Sequence, residues 1–268
     1  MKLGAHINKV NGYLAGEDLE RVSDLHEMFS DEKVNAIVCL RGGYGTPRLL
    51  SLIDYKLIAR NPKILVGFSD ITALQLALWK RCRLITFHGP MVAVDMADVI
   101  DPFTEEMFWR LVTSPKKAGL IPLLDEPVTL FRGKATGRLL GGNLSLIVSL
   151  LGTPYQPDFR RSVLFIEDAG EEPYRIDRML IQLYNASVLS RAGAIATGQF
   201  TECLPKDPTK PSLSVEQIFD EAARASARPF LSNLPFGHVQ KKMTLPVGLK
   251  VRVNADARTI EYLEPAVR

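Results

Sequence analysis

The sequence predicts an α/β protein: an N-terminal parallel sheet with helices on both faces, then a C-terminal mixed α/β domain rich in strands. Three observations carry this. The stretches VNAIVCL, KILVGF and RLITFHGP, starting at Val34, Lys63 and Arg83, are near-continuous apolar runs of strand length, the pattern of strands buried on both faces. Helix-length segments separate them, as in a strand-helix-strand alternation. Beyond residue 113 the alternation gives way to proline-rich sequence and then to several further strand-like stretches. At 268 residues the chain is long enough for one large domain or two modest ones with real cores.

Each element has its own signal. Leu19, Val22, His26 and Phe29 recur at helical spacing over residues 17–29, with His26 on or beside the apolar face. After the first strand comes RGGYG, a glycine turn, with Thr46 and Pro47 as N-cap and first residue of a short helix. LVGFSDITALQLALW, from Leu65 to Trp79, reads as a buried strand, a pivot at Ser69-Asp70, and a helix over 70–81. The third strand stops at Gly89-Pro90. TSPKKAGLIPLLDEPVTL, from Thr113, has no helical period and reads as a connection or a short extended pair. We therefore divide the chain into 1–113, a linker at 114–135, and 136–268. GRLLGGNLSLIVSLLGTPY, from Gly137, reads as a glycine turn followed by an apolar helix, SVLFIED as a strand, and EEPYRIDRMLIQLYN as a helix with Pro173 near its start. GAIATGQF, FLSNLPF, LKVRVNA and TIEYLE follow as strands, the last two as a hairpin over DART.

Composition narrows the function. Hydrophobic residues make up 46% and charged residues 24%, which is globular. The net charge is +3, and the basic pairs Lys116-Lys117, Arg160-Arg161 and Lys241-Lys242 are scattered, so no nucleic-acid stripe is expected. Cys39, Cys82 and Cys203 are odd in number and far apart, unlike a disulfide framework or a zinc site, and point to a reducing compartment. No secretory h-region and no membrane-length apolar run is present. Neither a metal nor a cofactor is expected.

Two loops could carry chemistry. Arg41-Gly42-Gly43-Tyr44-Gly45 lets backbone approach a ligand at a helix start, but it lacks the GK[ST] of a Walker loop, and Arg48 stands where the third glycine of GxGxxG belongs. It is a tight turn or an oxyanion-binding turn. Ser69 is either an N-cap or a nucleophile at a strand-to-helix elbow; Gly67 fits GxSxG, whereas Ile71 replaces its second glycine. A nucleophilic serine needs a base and an orienting acid. Of four histidines, His6 is near the terminus, His26 is a packing residue, and His88 at a strand end and His238 in a glycine-preceded loop both remain candidates. Glu167 ends a buried strand, where a carboxylate is costly unless partnered; Asp168, Glu171 and Glu172 crowd the same loop, and any of them could instead cap the next helix.

Six blocks in order, RGGYGTPRLL, VGFSDITAL, ITFHGPM, LLGGNLSLIVSLLGTPY, FIEDAGEEPYRIDRMLIQL and LPFGH, resemble the LD-carboxypeptidases, serine peptidase family S66, over nearly the whole chain. The resemblance implies a triad of Ser69, Glu167 and His238, and an oxyanion hole of backbone N–H groups from Gly43 and Asp70, with Gly42 beside them. It implies a cytoplasmic homodimer, without a metal, that releases D-alanine from murein tetrapeptide in cell-wall recycling through an acyl-enzyme. Relatives in the same group hydrolyse peptidyl-nucleotides of the microcin C type. Family members place a strand and a helix ahead of the part matching KLGAHINKVNGYLAG. Lys2–Ile7 itself reads as a short strand; the resemblance thus implies that Met1 is an internal start and that the chain as given is weakly active or inactive, with a non-catalytic binding protein as the alternative of a different class.

Overall fold

The computed structural model describes residues 1–123 and 126–268. Its first part runs α1 (Asp18–Ser30), β1 (Ala36–Val38), α2 (Thr46–Leu49), α3 (Tyr55–Arg60) and β2 (Ile64–Gly67). A 3₁₀ turn (Ser69–Ile71) then leads into α4 (Thr72–Cys82), β3 (Thr86–His88), α5 (Val92–Asp95) and α6 (Pro102–Val112). Next come β4 (Gly119–Leu120), β5 (Val128–Phe131), β6 (Lys134–Asn143), α7 (Leu144–Ser149), β7 (Val163–Ala169), α8 (Pro173–Asn185), α9 (Val188–Arg191) and β8 (Ala194–Thr201). The chain ends with α10 (Val215–Ser226), β9 (Phe230–Ser232), β10 (Leu245–Val247), β11 (Lys250–Asn254) and β12 (Thr259–Tyr262).

The apolar runs form the first sheet, in the order β1-β2-β3-β10. β1, β2 and β3 are parallel, as their continuous apolar runs predict, but β1 lies at the sheet edge and is not buried on both faces: Ala36 is exposed and Ile37 and Val38 are half-buried. The sheet is nevertheless mixed, because β10 returns from near the C-terminus and pairs antiparallel with β3, Leu245 opposite His88. Pro246 in the middle of that three-residue strand hides it from sequence reading, and its place at the sheet edge is where proline is tolerated. The second sheet has the order β4-β12-β11-β6-β7-β8-β9-β5, parallel from β6 to β9 and antiparallel on both flanks. Two segments of the expected linker, β4 and β5, are strands of this sheet; Leu124 and Asp125, in the same stretch, lie outside the described residues.

Two expectations change. Gly141-Gly142 is not a turn but the last part of β6, which delivers Asn143 as N-cap of α7. Gly142 has φ +138°, and a Cβ there would lie 2.4 Å from Thr72 Oγ1, so only glycine lets the start of α4 sit on β6. The contact is sealed by Asn143 N–H donating to Thr72 Oγ1 at 3.0 Å. Lys2–Ile7 is no strand either. It bends through a turn, because His6 donates its backbone N–H to Asp24 of α1 at 2.9 Å and its ring meets the same carboxylate at 2.7 Å.

The two sheets meet through aromatic side chains. The His88 ring of β3 stands edge-on to Phe165 of β7 at 5.3 Å, and Phe165 does the same to Phe236 at 5.8 Å. Phe68, Phe87, Phe165 and Phe236 are all buried, each contributing about 1.5–3 kcal/mol on transfer from water.

Candidate active site

The site begins at the end of β2. Phe68 is extended, Ser69 turns to φ +62°, and the chain enters the 3₁₀ turn and α4. A left-handed non-glycine residue costs roughly 1–2 kcal/mol. Such a strained strand-to-helix elbow presents a serine hydroxyl at the top of a sheet. Gly67 makes the room: a Cβ there would lie 3.1 Å from both Cys39 Cβ and Ile71 Cγ1, so Ile71 occupies the place of a second glycine without a clash.

His238 Nε2 lies 3.0 Å from Ser69 Oγ, and His238 Nδ1 lies 2.7 Å from Glu167 Oε2. Glu167 is fully buried at the C-terminal end of β7, where the register with β8 shifts between Ile166 and Asp168. His238 follows Gly237, whose φ is +109°; a Cβ there would come within 2.9 Å of Glu167 Cβ and Oε2. Glycine is thus required for the loop to pass this close to the acid. Thr201 Oγ1 at the end of β8 donates to the His238 carbonyl at 2.9 Å, and the Phe68 ring packs edge-on against the imidazole at 4.9 Å.

Burial opposes charge on both partners. It lowers the pKa of His238, but the hydrogen bond to Glu167 and that group's negative charge outweigh it, leaving His238 above the ordinary 6.5. Burial raises the Glu167 carboxyl, against the pull of the His238 bond. With Nδ1 donating to Glu167, Nε2 of a neutral imidazole is left as an acceptor for the Ser69 hydroxyl.

The glycine loop closes the other side of Ser69. A Cβ at Gly42 would stand 2.9 Å from Ser69 Cβ and 3.2 Å from Oγ, whereas at Gly43, with φ +118°, it would meet nothing within 4 Å. Asp70 is buried, and its Oδ2 accepts the Thr46 N–H at 2.8 Å, tying the loop to the elbow. The carboxylate therefore ties the turn in place, in addition to its backbone amide adjoining the serine.

The remaining candidates have other partners. His88 reaches the same edge of the sheet as Ser69, but its buried ring lies between Phe68 and Phe165, and burial pushes its pKa down to about 3. His26 is not a core residue: its Nε2 accepts the Asp54 N–H at 2.9 Å. Asp168 takes Asn143 Nδ2 at 2.8 Å and the N–H and hydroxyl of Ser145 at 2.9 and 2.6 Å, pinning β7 to α7 beside Glu167. Glu171 pairs with Arg175 at 3.5 Å, and Glu172 stands at the N-cap position of α8 without a side-chain cap bond, its carboxylate facing Lys206 at 3.8 Å.

Sequence reasoning missed Lys242 and Asp95. They form a buried ion pair at 2.5 Å, and the Lys242 ammonium stands 4.2 Å over the Phe68 ring on the far side of the site. The two are 147 residues apart, and nothing local in either stretch announces the contact. Among the described residues no group of three or more His, Cys, Asp or Glu side chains is arranged to hold a metal ion, and no helix is long and apolar enough to cross a membrane.

Comparison with known proteins places this geometry among relatives. The LD-carboxypeptidase N-terminal domain matches residues 1–89, and the LD-carboxypeptidase C-terminal domain matches residues 136–253. The chain is 43% identical over 263 residues to the probable murein peptide carboxypeptidase of Bacillus subtilis strain 168, covering 97% of this chain and 81% of that protein. It superposes on the muramoyltetrapeptide carboxypeptidase of Oxalobacter formigenes with a TM-score of 0.85 and 32% identity, over 96% of this chain and 88% of the other. It superposes equally well on a microcin C7 self-immunity protein in complex with aspartyl sulfamoyl adenosine, with a TM-score of 0.87 and 26% identity, over 99% of this chain and 86% of the other.

Proposed function

The chain belongs to the LD-carboxypeptidase family, serine peptidase family S66, and from that premise we propose that it releases the terminal D-alanine of murein tetrapeptide through a Ser69–His238–Glu167 triad and an acyl-enzyme. As a member of that family it is a hydrolase. The observation that supports the finer reading is the unbroken chain of hydrogen bonds from Ser69 Oγ to the buried Glu167 carboxylate.

In this mechanism Ser69 Oγ attacks the carbonyl carbon of the L-centre while its proton passes to His238 Nε2. Glu167 holds the imidazole by Nδ1–H and stabilises the imidazolium. Backbone N–H groups of Gly43 and Asp70, with Gly42 beside them, face the oxyanion of the tetrahedral intermediate. The C–N bond then breaks, His238 gives its proton to the departing amine, and D-alanine leaves. Water, deprotonated by the same imidazole, attacks the ester and regenerates Ser69. Taking 1–113 and 136–268 as the two parts of the molecule, the nucleophile comes from the first and the acid and base from the second, so the substrate enters between them. A cytoplasmic homodimer acting in cell-wall recycling completes the proposal.

The test is release of free D-alanine from purified murein tetrapeptide. A second reading, hydrolysis of a peptidyl-nucleotide, is favoured by the likeness to a protein bound to aspartyl sulfamoyl adenosine. Turnover of aspartyl sulfamoyl adenosine with no D-alanine release would select that reading over murein.

The pH profile follows from the same pair. Only neutral His238 can accept the Ser69 proton, so kcat/KM should rise with pH through the His238 pKa, which lies above 6.5 because of Glu167. Glu167→Gln removes the charge that holds it up, so the residual activity should show its acid limb at lower pH. A limb that stays in place would show that Glu167 does not act on His238 through its charge.

A further inference from the structure

A cleft of about 430 Å³ opens at the opposite end of the larger sheet from Ser69, where no step of the proposed reaction takes place. Its walls are the C-terminal end of α4, the first half of β6, the segment entering β7 and the start of β11. Trp79 lies seven residues along α4 from Thr72, roughly 10 Å at the helical rise. Ser162 lies five residues before Glu167, roughly 16 Å along an extended strand.

The lining is unusual in charge. Arg83, Arg138, Arg160, Arg161 and Lys250 face it, against a single lining carboxylate, Asp158. The whole chain carries only +3, so this is a local concentration of positive charge and not the general surface. Asp158 is taken by Arg160 at 2.6 Å, and Glu264 reaches in to pair with Arg138. Among the described residues Arg83, Arg161 and the Lys250 ammonium have no carboxylate partner.

Two further observations show positive charge held together against physical cost. Arg138 and Lys250 stand directly opposite each other in the β6–β11 register, and like charges so placed destabilise a sheet. Arg83 and Arg161 both sit in left-handed backbone, at φ +57°, a conformation that asparagine or glycine adopts with less strain. The Arg83 and Arg138 guanidinium carbons lie 5.2 and 5.7 Å from the Trp79 ring centroid, which limits where their planar forks can go.

We propose that this cleft binds a compact oligoanion carrying phosphate groups. Guanidinium forks match phosphate oxygens bidentately, and a lysine adds a mobile point charge. The volume is within the range of small-molecule sites. Trp79 is buried beneath the arginines and leaves no open aromatic face for a base, so recognition rests on the phosphate chain.

Inorganic tripolyphosphate is the probe. Calorimetric titration of the intact chain at low salt should show saturable binding that weakens as salt is raised. Arg83→Asn and Arg161→Asn, which keep a residue suited to left-handed backbone, should each weaken it about tenfold, the loss of one charged hydrogen-bonding partner. Arg224→Gln, an exposed charge on α10, should leave the affinity unchanged. Tripolyphosphate should also raise the melting temperature of the parent chain and not of the combined Arg83→Asn/Arg161→Asn variant. If either arginine variant fails to fold, Lys250→Gln on the exposed start of β11 takes its place, with the same weakening expected. No binding at roughly millimolar probe, or equal weakening by Arg224→Gln, or none by the cleft variants, would overturn the proposal.

Discussion

Ser69→Ala is expected to lower kcat for D-alanine release by roughly 10⁴–10⁶, with the residual rate carried by substrate binding and the oxyanion donors. The fold should not suffer. Alanine keeps the Cβ, so the left-handed backbone at φ +62° is strained to the same degree before and after the change. What is lost is one hydroxyl and its 3.0 Å contact with His238 Nε2. Ser69 is only half-buried, so the freed imidazole nitrogen can turn to water instead of being stranded. The variant should therefore melt close to the parent and bind tetrapeptide with little change, while the chemical step all but stops. Measured turnover and melting curves on the same preparation separate the two effects. Retention of more than a tenth of the parent activity would remove Ser69 from the role of nucleophile.

How much of this could be read in the sequence depends on whether the cause was local. Strands β2 and β3 were legible because burial on both faces writes itself as continuous apolar residues, β1 because its run is apolar although it is only half-buried at the sheet edge, and the Ser69 elbow because a glycine, a serine and a helix start fall within five positions. Strand β10 was not, because three residues centred on a proline carry no periodicity; what makes them a strand is the open edge of β3. Gly141-Gly142 read as a turn for the usual reason that glycines break strands, yet they lie in β6 because Thr72 and the backbone of β7 come too close for any side chain. The histidines show the same division. His88 and His238 both reach the sheet edge that carries Ser69, and residue patterns alone left them level. Whether a ring points at a hydroxyl or between two phenylalanines is decided by packing between segments 169 residues apart in one case and 77 in the other, the span from His88 to Phe165. Only the ordered blocks shared with a known family separated them in advance. The Lys242–Asp95 pair, whose ammonium stands over the Phe68 ring, had no such block and was missed.

The contrast between those two histidines gives the second large effect. His238→Ala should cut kcat by about as much as Ser69→Ala, because a serine hydroxyl without a base is a poor nucleophile at neutral pH. Glu167→Gln should be severe but less so, since a neutral amide can still accept from Nδ1–H while losing the charge that stabilises the imidazolium. His88→Ala should fall far behind in its effect on turnover. Its ring makes no hydrogen bond to Ser69 or Glu167, and deleting it leaves a hole between Phe68 and Phe165, which costs about 2–5 kcal/mol of stability for a large-to-small change in a core. The two histidine variants should thus part company in turnover: His238→Ala inactive, and less stable as well because it leaves the buried Glu167 carboxylate without its partner, His88→Ala less stable but active at temperatures below its lowered melting point. The double variant Ser69→Ala/His238→Ala sharpens the test. If the serine and histidine act on one proton, removing both should be hardly worse than removing either, because the first loss already abolishes what the second group contributes. Independent contributions would instead multiply, and two losses of roughly 10⁴ or more would take the rate below anything measurable over water. Kinetics of the two single variants and the double variant on murein tetrapeptide decide between these outcomes. If the losses multiply, or if His88→Ala is the more damaging change to kcat when both are assayed well below their melting temperatures, the assignment of His238 as the base is wrong.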